Sequence, residues 1–416
     1  MSEARDHPGP RLQARLRQVR SPGSREGHPQ EASCGNRVRF RRARLEQNVS
    51  DAADTNEARP GQPLKRGWTT GTCATAATRA AYEALITGEC PDPVDVRLPN
   101  GARVSFAIAV FEALNGGATA GIAKDAGDDP DVTHGALVKA TVRAGRPGSG
   151  VTFLAGEGVG TVTKPGLPLP PGEPAINPVP REMMRTAIRE VMENFGASGD
   201  VTIELSIPGG QALAARTLNA RLGIVGGLSI LGTTGIVVPY SCAAWIHSIQ
   251  RGIDVARASG LKHIAGSTGS TSEMAVQKLH GLSETALIDM GDFVGGMLKY
   301  AKRHPVPRIT IAGGFAKMTK LGQGLLDLHS KSGSVDHLWL SELLREAEAP
   351  ADLVELCRDA NTALLVLREA EKRGIAVGQF VAKAAWSTAA RVLEGSDIAL
   401  DIAVFDREGH IVGRWG

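Results

Sequence analysis

The stretch LKHIAGSTGSTSEMAVQKLH, residues 261–280, decides the architecture. Residues 261–265 are a short apolar run. Gly266-Ser267-Thr268-Gly269 breaks it, and residues 272–280 then carry apolar side chains at helical spacing. The same strand, glycine turn and helix recur downstream. Residues 286–289 lead into Gly291-Asp292 and a helical pattern over 293–303, and residues 308–312 end at Gly313-Gly314. A strand–turn–helix unit repeated at roughly 30 residues is the mark of a parallel sheet wound on both faces, so a Rossmann-like, doubly wound α/β domain is expected. Upstream, residues 201–207 end at Pro208-Gly209-Gly210 before a helical pattern over 211–222. Residues 227–231 end at Gly232-Thr233-Thr234-Gly235 before a helix over 239–259. Both units are read as part of the same domain, placed at 199–416. Helices over 336–348 and 350–373 form its helical cap, with Pro350 suited to a first helical position, and 401–405 with 410–412 form a closing hairpin.

Residues 64–198 read as an α+β domain. An Ala-rich helix over 69–87 stops at Gly88, and strands at 94–98 and 103–110 flank the turn residues Asn100-Gly101. Strands follow at 136–144 and 151–154, and a Pro-rich passage, 164–180, leads to a helix near Arg181. Residues 1–63 hold few large apolar side chains and read as a disordered extension. A basic arm for an anionic partner and a start placed too early are the alternatives.

Composition excludes several classes. The 416 residues carry a net charge of +3 and only 4% aromatics, which disfavours nucleic acid as a partner. No run approaches the roughly 20 apolar residues of a membrane helix, and the N-terminus lacks an apolar secretory core. The five cysteines, Cys34, Cys73, Cys90, Cys242 and Cys357, form no CxxC pair, which argues against a zinc site or a disulfide framework. A reduced, cytoplasmic protein with no metal of its own is expected. A homo-oligomer is compatible with the sequence.

Fifty glycines are the compositional outlier, and many close predicted strands. In open α/β sheets ligands bind beyond the carboxyl ends of the strands, where small residues let backbone amides approach. No loop matches GxxxxGK[ST], and none gives GxGxxG with an acidic residue about 20 positions on, so a nucleoside triphosphate and a nicotinamide are both disfavoured. An adenosine ligand without phosphates remains compatible. Glu273, Asp289 and Asp292 are candidate partners for its ribose, or else helix caps.

Several segments then combine. They are GWTTGTCATAA at 67–77, KDAGDDPDVTHG at 124–135, GEGVGTVTKPGL at 156–167, GEPAINPVPR at 172–181 and GGLSILGTTGIVVPYS at 226–241. GSTGSTSE at 266–273, GDFVGG at 291–296, GGFAKMTKL at 313–321 and DLHS at 327–330 complete the set. From residue 64 onward the chain resembles the CbiD family. The resemblance implies methyl transfer from S-adenosylmethionine, the cofactor, to ring carbon 1 of cobalt-precorrin-5B in corrin-ring biosynthesis. It also implies a two-part fold and no protein-bound metal, since cobalt arrives with the substrate.

Methyl transfer from an activated sulfonium asks mainly for alignment and exclusion of water, with a base where a proton must be collected. His134, near Asp128, Asp129 and Asp131, is the first candidate base, or a structural histidine in an acidic turn. His329 is the second. Lys124 and Asp125 are expected to pair. Gly232, Thr233, Thr234 and Gly235, with Gly266, Ser267, Thr268, Gly269, Glu273 and Asp292, are expected to face the cofactor. Gly235→Val should therefore abolish cofactor binding and leave the fold intact. The substrate's carboxylates call for cations, and Lys124, Lys164, Arg181, Arg185, Arg221, Lys317 and Lys320 lie in or beside the distinctive segments. The rival readings are a nucleotide-dependent small-molecule kinase and a non-catalytic tetrapyrrole-binding protein.

Overall fold

The computed structural model describes residues 63–416, so the extension read at 1–63 lies, but for Pro63, outside the described residues. The fold is a mixed α/β one built on two five-stranded sheets.

The first sheet has the spatial order Val110–Leu114, Gly117–Ala123, Leu137–Ala144, Val201–Ser206, Val151–Ala155. All its pairs are antiparallel except the last. Helices Thr70–Thr87 and Pro178–Phe195 pack together, and the first of them lies on the sheet. Thr70–Thr87 starts where Thr69 Oγ1 accepts a hydrogen bond from the Thr72 amide at 3.2 Å, and it ends at Gly88 in the left-handed region, φ 81°. It is buried on almost every side because Ala, Thr and Gly let the backbone sit close to the strands. The second helix starts earlier than expected, at Pro178, since proline suits a first turn whose amides need no intrahelical partner.

The strand Val201–Ser206 corrects the expected placement. It does not open the second domain but lies inside the first sheet, antiparallel to Leu137–Ala144 and parallel to Val151–Ala155. Its own pattern explains this. Val201, Ile203 and Leu205 are buried and alternate with half-buried Thr202, Glu204 and Ser206, as in a sheet covered on one face. The expected helix over 211–222 shrinks to Gly210–Ala214. Residues 227–231 contribute only isolated bridges, Leu228 to Val159 and Ile230 to Ile176.

The second sheet has the order Leu287–Asp289, His263–Ser267, Arg308–Gly314, Ala399–Phe405, Ile411–Trp415, with the first four strands parallel. Helix Ser270–His280 covers one face, where Val276 meets Ala265, Leu287, Ala312, Ala403 and Phe405. The other face presents Ile264, Ile288, Ile309, Ile311, Ile402 and Val404 to helices Cys242–Ala258, Val294–Arg303, Phe315–Gly322 and Val377–Leu393. The cap comprises His337–Glu346, Ala351–Asp359 and Ala363–Lys372. The reading of 350–373 as one helix fails at Ala360–Thr362, where Thr362 caps a new one, and Pro350 is a cap rather than a first residue. Helix Val377–Leu393 went unread. Ala399–Phe405 does form a hairpin with Ile411–Trp415, but it is also an interior strand.

The two parts are tied by side chains. Arg221 donates two hydrogen bonds to Glu273, at 2.7 and 2.6 Å, and Lys164 Nζ donates to Thr285 Oγ1 at 2.6 Å. Among the described residues no helix is long and apolar enough to cross a membrane.

Candidate active site

Beyond the carboxyl ends of strands His263–Ser267, Arg308–Gly314 and Ala399–Phe405 lies a crevice of about 380 Å³. Helices Ser270–His280 and Phe315–Gly322 both begin at it, so amides and the positive ends of two helix dipoles meet there.

The glycines around it divide into two kinds. A Cβ on Gly266 would come within 2.3 Å of Met297 Sδ, and one on Gly313 within 2.6 Å of Met318 Sδ, so packing accounts for both. Gly269 and Gly314 differ. Both line the crevice, both have ordinary extended backbone (φ 164° and −68°), and a Cβ on either would meet nothing within 4 Å. Neither strain nor packing within the protein requires glycine there, and their effect is to keep the crevice open.

Polar groups ring this edge. Lys317 Nζ donates to Thr268 O at 3.0 Å and lies 2.9 Å from Asp292 Oδ1. Glu273 is held by Arg221. Of the three acidic groups expected to serve a ribose, Glu273 and Asp292 are thus committed to cations. Asp289 pairs with no cation among the described residues. Burial, reinforced by the charge of Glu273, holds its carboxyl above the usual carboxylate range. Ser267 is buried, and its hydroxyl has no partner within the described residues. The sequence reading missed Phe405, Asp406 and Arg407, which line the same crevice. The rule applied to the other strands would have found them, because they too follow a strand's carboxyl end.

The GTTG turn belongs elsewhere. Gly235 O accepts from the Thr69 amide at 3.2 Å and from Thr72 Oγ1 at 2.7 Å, in the first part of the chain. Gly232 lies against Thr69, and a Cβ on Gly235 (φ 83°) would come within 2.8 Å of Leu98 and 2.9 Å of Thr72. These glycines are fixed by packing. The expectation that Gly235→Val spares the fold is therefore corrected. Thr233 and Thr234 are exposed.

In the 124–135 segment the expected Lys124–Asp125 pair does not form. Lys124, fully buried, donates to Asp131 Oδ2 at 2.7 Å, while Asp125 takes Lys65 at 2.7 Å. Asp131 Oδ1 also accepts from the Thr133 amide and hydroxyl. Asp128 Oδ2 accepts from the Lys65 amide at 2.6 Å, and Asp129 Oδ1 from the Tyr240 amide at 2.9 Å. His134 is exposed, and its Nδ1 accepts the Ala126 amide proton at 3.1 Å. His329 is also exposed, and its Nδ1 accepts the Lys331 amide proton at 3.1 Å. In each neutral ring the proton is therefore assigned to Nε2, so both histidines offer a donor rather than a free lone pair.

The expected substrate cations are mostly engaged by protein. Arg181 donates to Glu173 at 2.9 Å and to Ile176 O at 2.8 Å, and Lys320 Nζ donates to Leu328 O at 3.1 Å. Arg181 and Arg185 sit over the Phe153 ring, 5.3 and 5.2 Å from its centroid. Toward the opposite, amino-terminal ends of the second sheet's strands, side-chain N and O atoms of His263, His280 and Asp401 lie within 4.8 Å of one another. Thr310 Oγ1 stands among them, 2.8 Å from His263 Nε2 and 3.2 Å from Asp401 Oδ2.

The family model described as CbiD matches residues 57–239, and that described as CbiD, C-terminal domain, matches 327–416. A protein of Bradyrhizobium sp. named cobalt-precorrin-5B C(1)-methyltransferase is 69% identical over 353 residues, 85% of this chain and 94% of that one. A protein of the same name from Agrobacterium fabrum is 61% identical, covering 85% and 93%. A crystal structure described as cobalamin biosynthesis protein (cbiD) from Archaeoglobus fulgidus is 28% identical over 61% of this chain and 77% of that one, at a TM-score of 0.35. The assignment rests on the sequence matches: the chain belongs to the CbiD family.

Proposed function

We propose that this chain transfers a methyl group from S-adenosylmethionine to ring carbon 1 of cobalt-precorrin-5B in cobalamin biosynthesis. The observation that carries the reading is the 69% identity across 94% of a relative bearing that activity as its name. We take the second sheet as a Rossmann-like, doubly wound domain holding the cofactor, and the first part as contributing to the macrocycle site. Four free cysteines among the described residues fit a reducing, cytoplasmic setting.

The crevice residues fit the cofactor. Gly269 and Gly314 leave room against the backbone, and the amides opening helices Ser270–His280 and Phe315–Gly322 suit the methionine carboxylate, helped by Arg407 and Lys317. Asp289 lies outside the crevice lining, at the carboxyl end of strand Leu287–Asp289. It is unpaired with any cation among the described residues and is the acceptor we assign to ribose hydroxyls reaching past the crevice. S-adenosylmethionine supplies a methyl on a sulfonium; carbon–sulfur cleavage leaves the bonding pair on sulfur while the ring carbon's electrons form the new bond. The protein holds the two reactants in line and keeps water out. With Nδ1 already accepting, His134 and His329 serve better as hydrogen-bond donors to substrate carboxylates than as bases. Arg185, which makes no ion pair among the described residues, is suited to those carboxylates.

Incubation with methyl-labelled S-adenosylmethionine and cobalt-precorrin-5B tests the reading. One labelled methyl at carbon 1 is expected, and no incorporation, or a methyl elsewhere, overturns it. A thermal shift with MgATP and none with S-adenosylmethionine would favour the kinase reading. Corrinoid binding without transfer would favour the carrier.

A further inference from the structure

Tyr240 is one of two non-glycine residues among those described with positive φ, at 56°. Backbone in this region is strained for an aromatic residue and persists only where surroundings enforce it. Here the Tyr240 amide is held by Asp129 Oδ1 at 2.9 Å. The strain does not serve packing, because Tyr240 is 68% exposed. The side chains around it are also uncovered: Val238 and Trp245 are 48% and 46% exposed, and Cys242, Ala243 and Ala244 are exposed as well. In a chain with 4% aromatics, an apolar surface carrying two of them within six residues is unusual.

The surface is rigid and well placed. Trp245 Nε1 donates to Asp289 O at 3.1 Å, and its ring lies against Gly291, where a Cβ would come within 3.2 Å. The indole is thus pinned at both edge and face, beside the carboxylate assigned to the ribose. Tyr240, at the other end, is bonded to the 124–135 segment. Residues 238–245 therefore reach from that segment to Asp289 and Gly291, at the carboxyl end of strand Leu287–Asp289. One loop and one helical turn fall well short of the roughly 800 Å² per partner that a stable protein interface needs, which disfavours a second copy as occupant. A flat, largely apolar ring matches the chemistry of the surface, and Trp245 stands against Gly291, next in sequence to Asp292, the partner of Lys317 in the crevice lining.

We propose that residues 238–245 are the platform on which the tetrapyrrole lies, with Tyr240 and Trp245 as its positioning residues. This rests on the methyltransferase reading and extends it. A macrocycle lying on this platform has one face shielded by protein and the other turned to the sulfonium, so the platform selects the face that is methylated.

Tyr240→Gly tests this cleanly, because glycine adopts the left-handed backbone without strain and removes only the ring. The expected result is a KM for cobalt-precorrin-5B raised about tenfold, the loss of one aromatic stacking contact. The KM for S-adenosylmethionine should stay within about twofold and the melting temperature should not fall. Tyr240→Phe should restore the wild-type KM. A wild-type tetrapyrrole KM in Tyr240→Gly overturns the platform, as does a concentration-dependent dimer lost in that variant with KM unchanged. A second readout is independent of turnover. Cobyrinic acid, a cobalt corrinoid, should quench tryptophan fluorescence in the wild type, and Trp245→Phe should lose most of the quenching. Equal quenching in both overturns the platform. Quenching by Trp245 without methyl transfer would instead sink the methyltransferase reading and leave the platform standing.

Discussion

Replacing Asp131 by alanine strands a buried ammonium. The Lys124 side chain is 1% exposed and Asp131 25%, with Nζ and Oδ2 2.7 Å apart. At an effective dielectric of about 20, that separation corresponds to an attraction of about 6 kcal/mol, much of which offsets desolvation. Removing one partner leaves the desolvation uncompensated, so Asp131→Ala should lose about 3–5 kcal/mol. The double variant Lys124→Met, Asp131→Ala removes the charge itself and should regain most of that. The remaining loss, about 1 kcal/mol, belongs to the hydrogen bonds Asp131 accepts from Thr133. Urea midpoints for wild type, both single variants and the double variant give the coupling energy directly. Acid adds a check. Burial pushes the Asp131 carboxyl up, but hydrogen bonds from Lys124 and Thr133 outweigh it and hold the group below its ordinary value of 3.8. Its stabilisation is therefore full above that value and lost as pH falls through the lowered one, a loss the double variant should lack. A cost below about 1 kcal/mol for Asp131→Ala, or a double variant no more stable than the single, would refute the reasoning.

Two glycines make a paired test of what each is for. Gly235→Val should destabilise the first part by about 3 kcal/mol or more, since a β-branched residue at positive φ also meets Leu98 and Thr72. Gly269→Val should leave the unfolding free energy within about 0.5 kcal/mol and abolish S-adenosylmethionine binding by calorimetry, because its side chain enters only the crevice. Arg407→Ala should weaken cofactor binding about tenfold in the same titration and leave the tetrapyrrole KM unchanged in the methyl-transfer assay. Burial, helped by neighbouring His280 and Arg308, pushes His263 down to about 4 from 6.5. Its contribution is present above 6.5 and lost as pH falls from there toward 4. That is about 3 kcal/mol at most, roughly half after solvent screening of a partly exposed ring, and His263→Gln should flatten that part of the stability–pH curve.

What could be read from sequence was what local chemistry settles. Thr69 and Gly88 bracket a helix because a hydroxyl acceptor and a left-handed glycine act within one turn. The segment 261–280 reveals strand, turn and helix for the same reason. Val201–Ser206 was misplaced because its partners begin about 50 and 60 residues upstream, where proximity in sequence says nothing. Only its alternation hinted at a sheet covered on one face. Helix Val377–Leu393 escaped because its capping position is Ala376, whose side chain can accept no hydrogen bond. At the site, glycine loops were legible but their roles were not. Gly266 and Gly269 are distinguished only by Met297 and Met290, which approach one and not the other. Likewise, the backbone amides of Ala126 and Lys331 occupy the Nδ1 atoms of the two histidines, and no spacing rule announces that.

The late arrival of Val201–Ser206 also governs how this chain can be made and cut. Among the described residues strand Val151–Ala155 pairs with no other strand, so until residues 201–206 leave the ribosome it has nothing to hold it, and Leu137–Ala144 presents an open edge. The nascent first part must wait for the strand that joins Leu137–Ala144 to Val151–Ala155. A fragment ending at residue 198 should be sticky and protease-sensitive, and adding a peptide of residues 199–207 should rescue it. Dissection of the enzyme therefore has to begin beyond that strand.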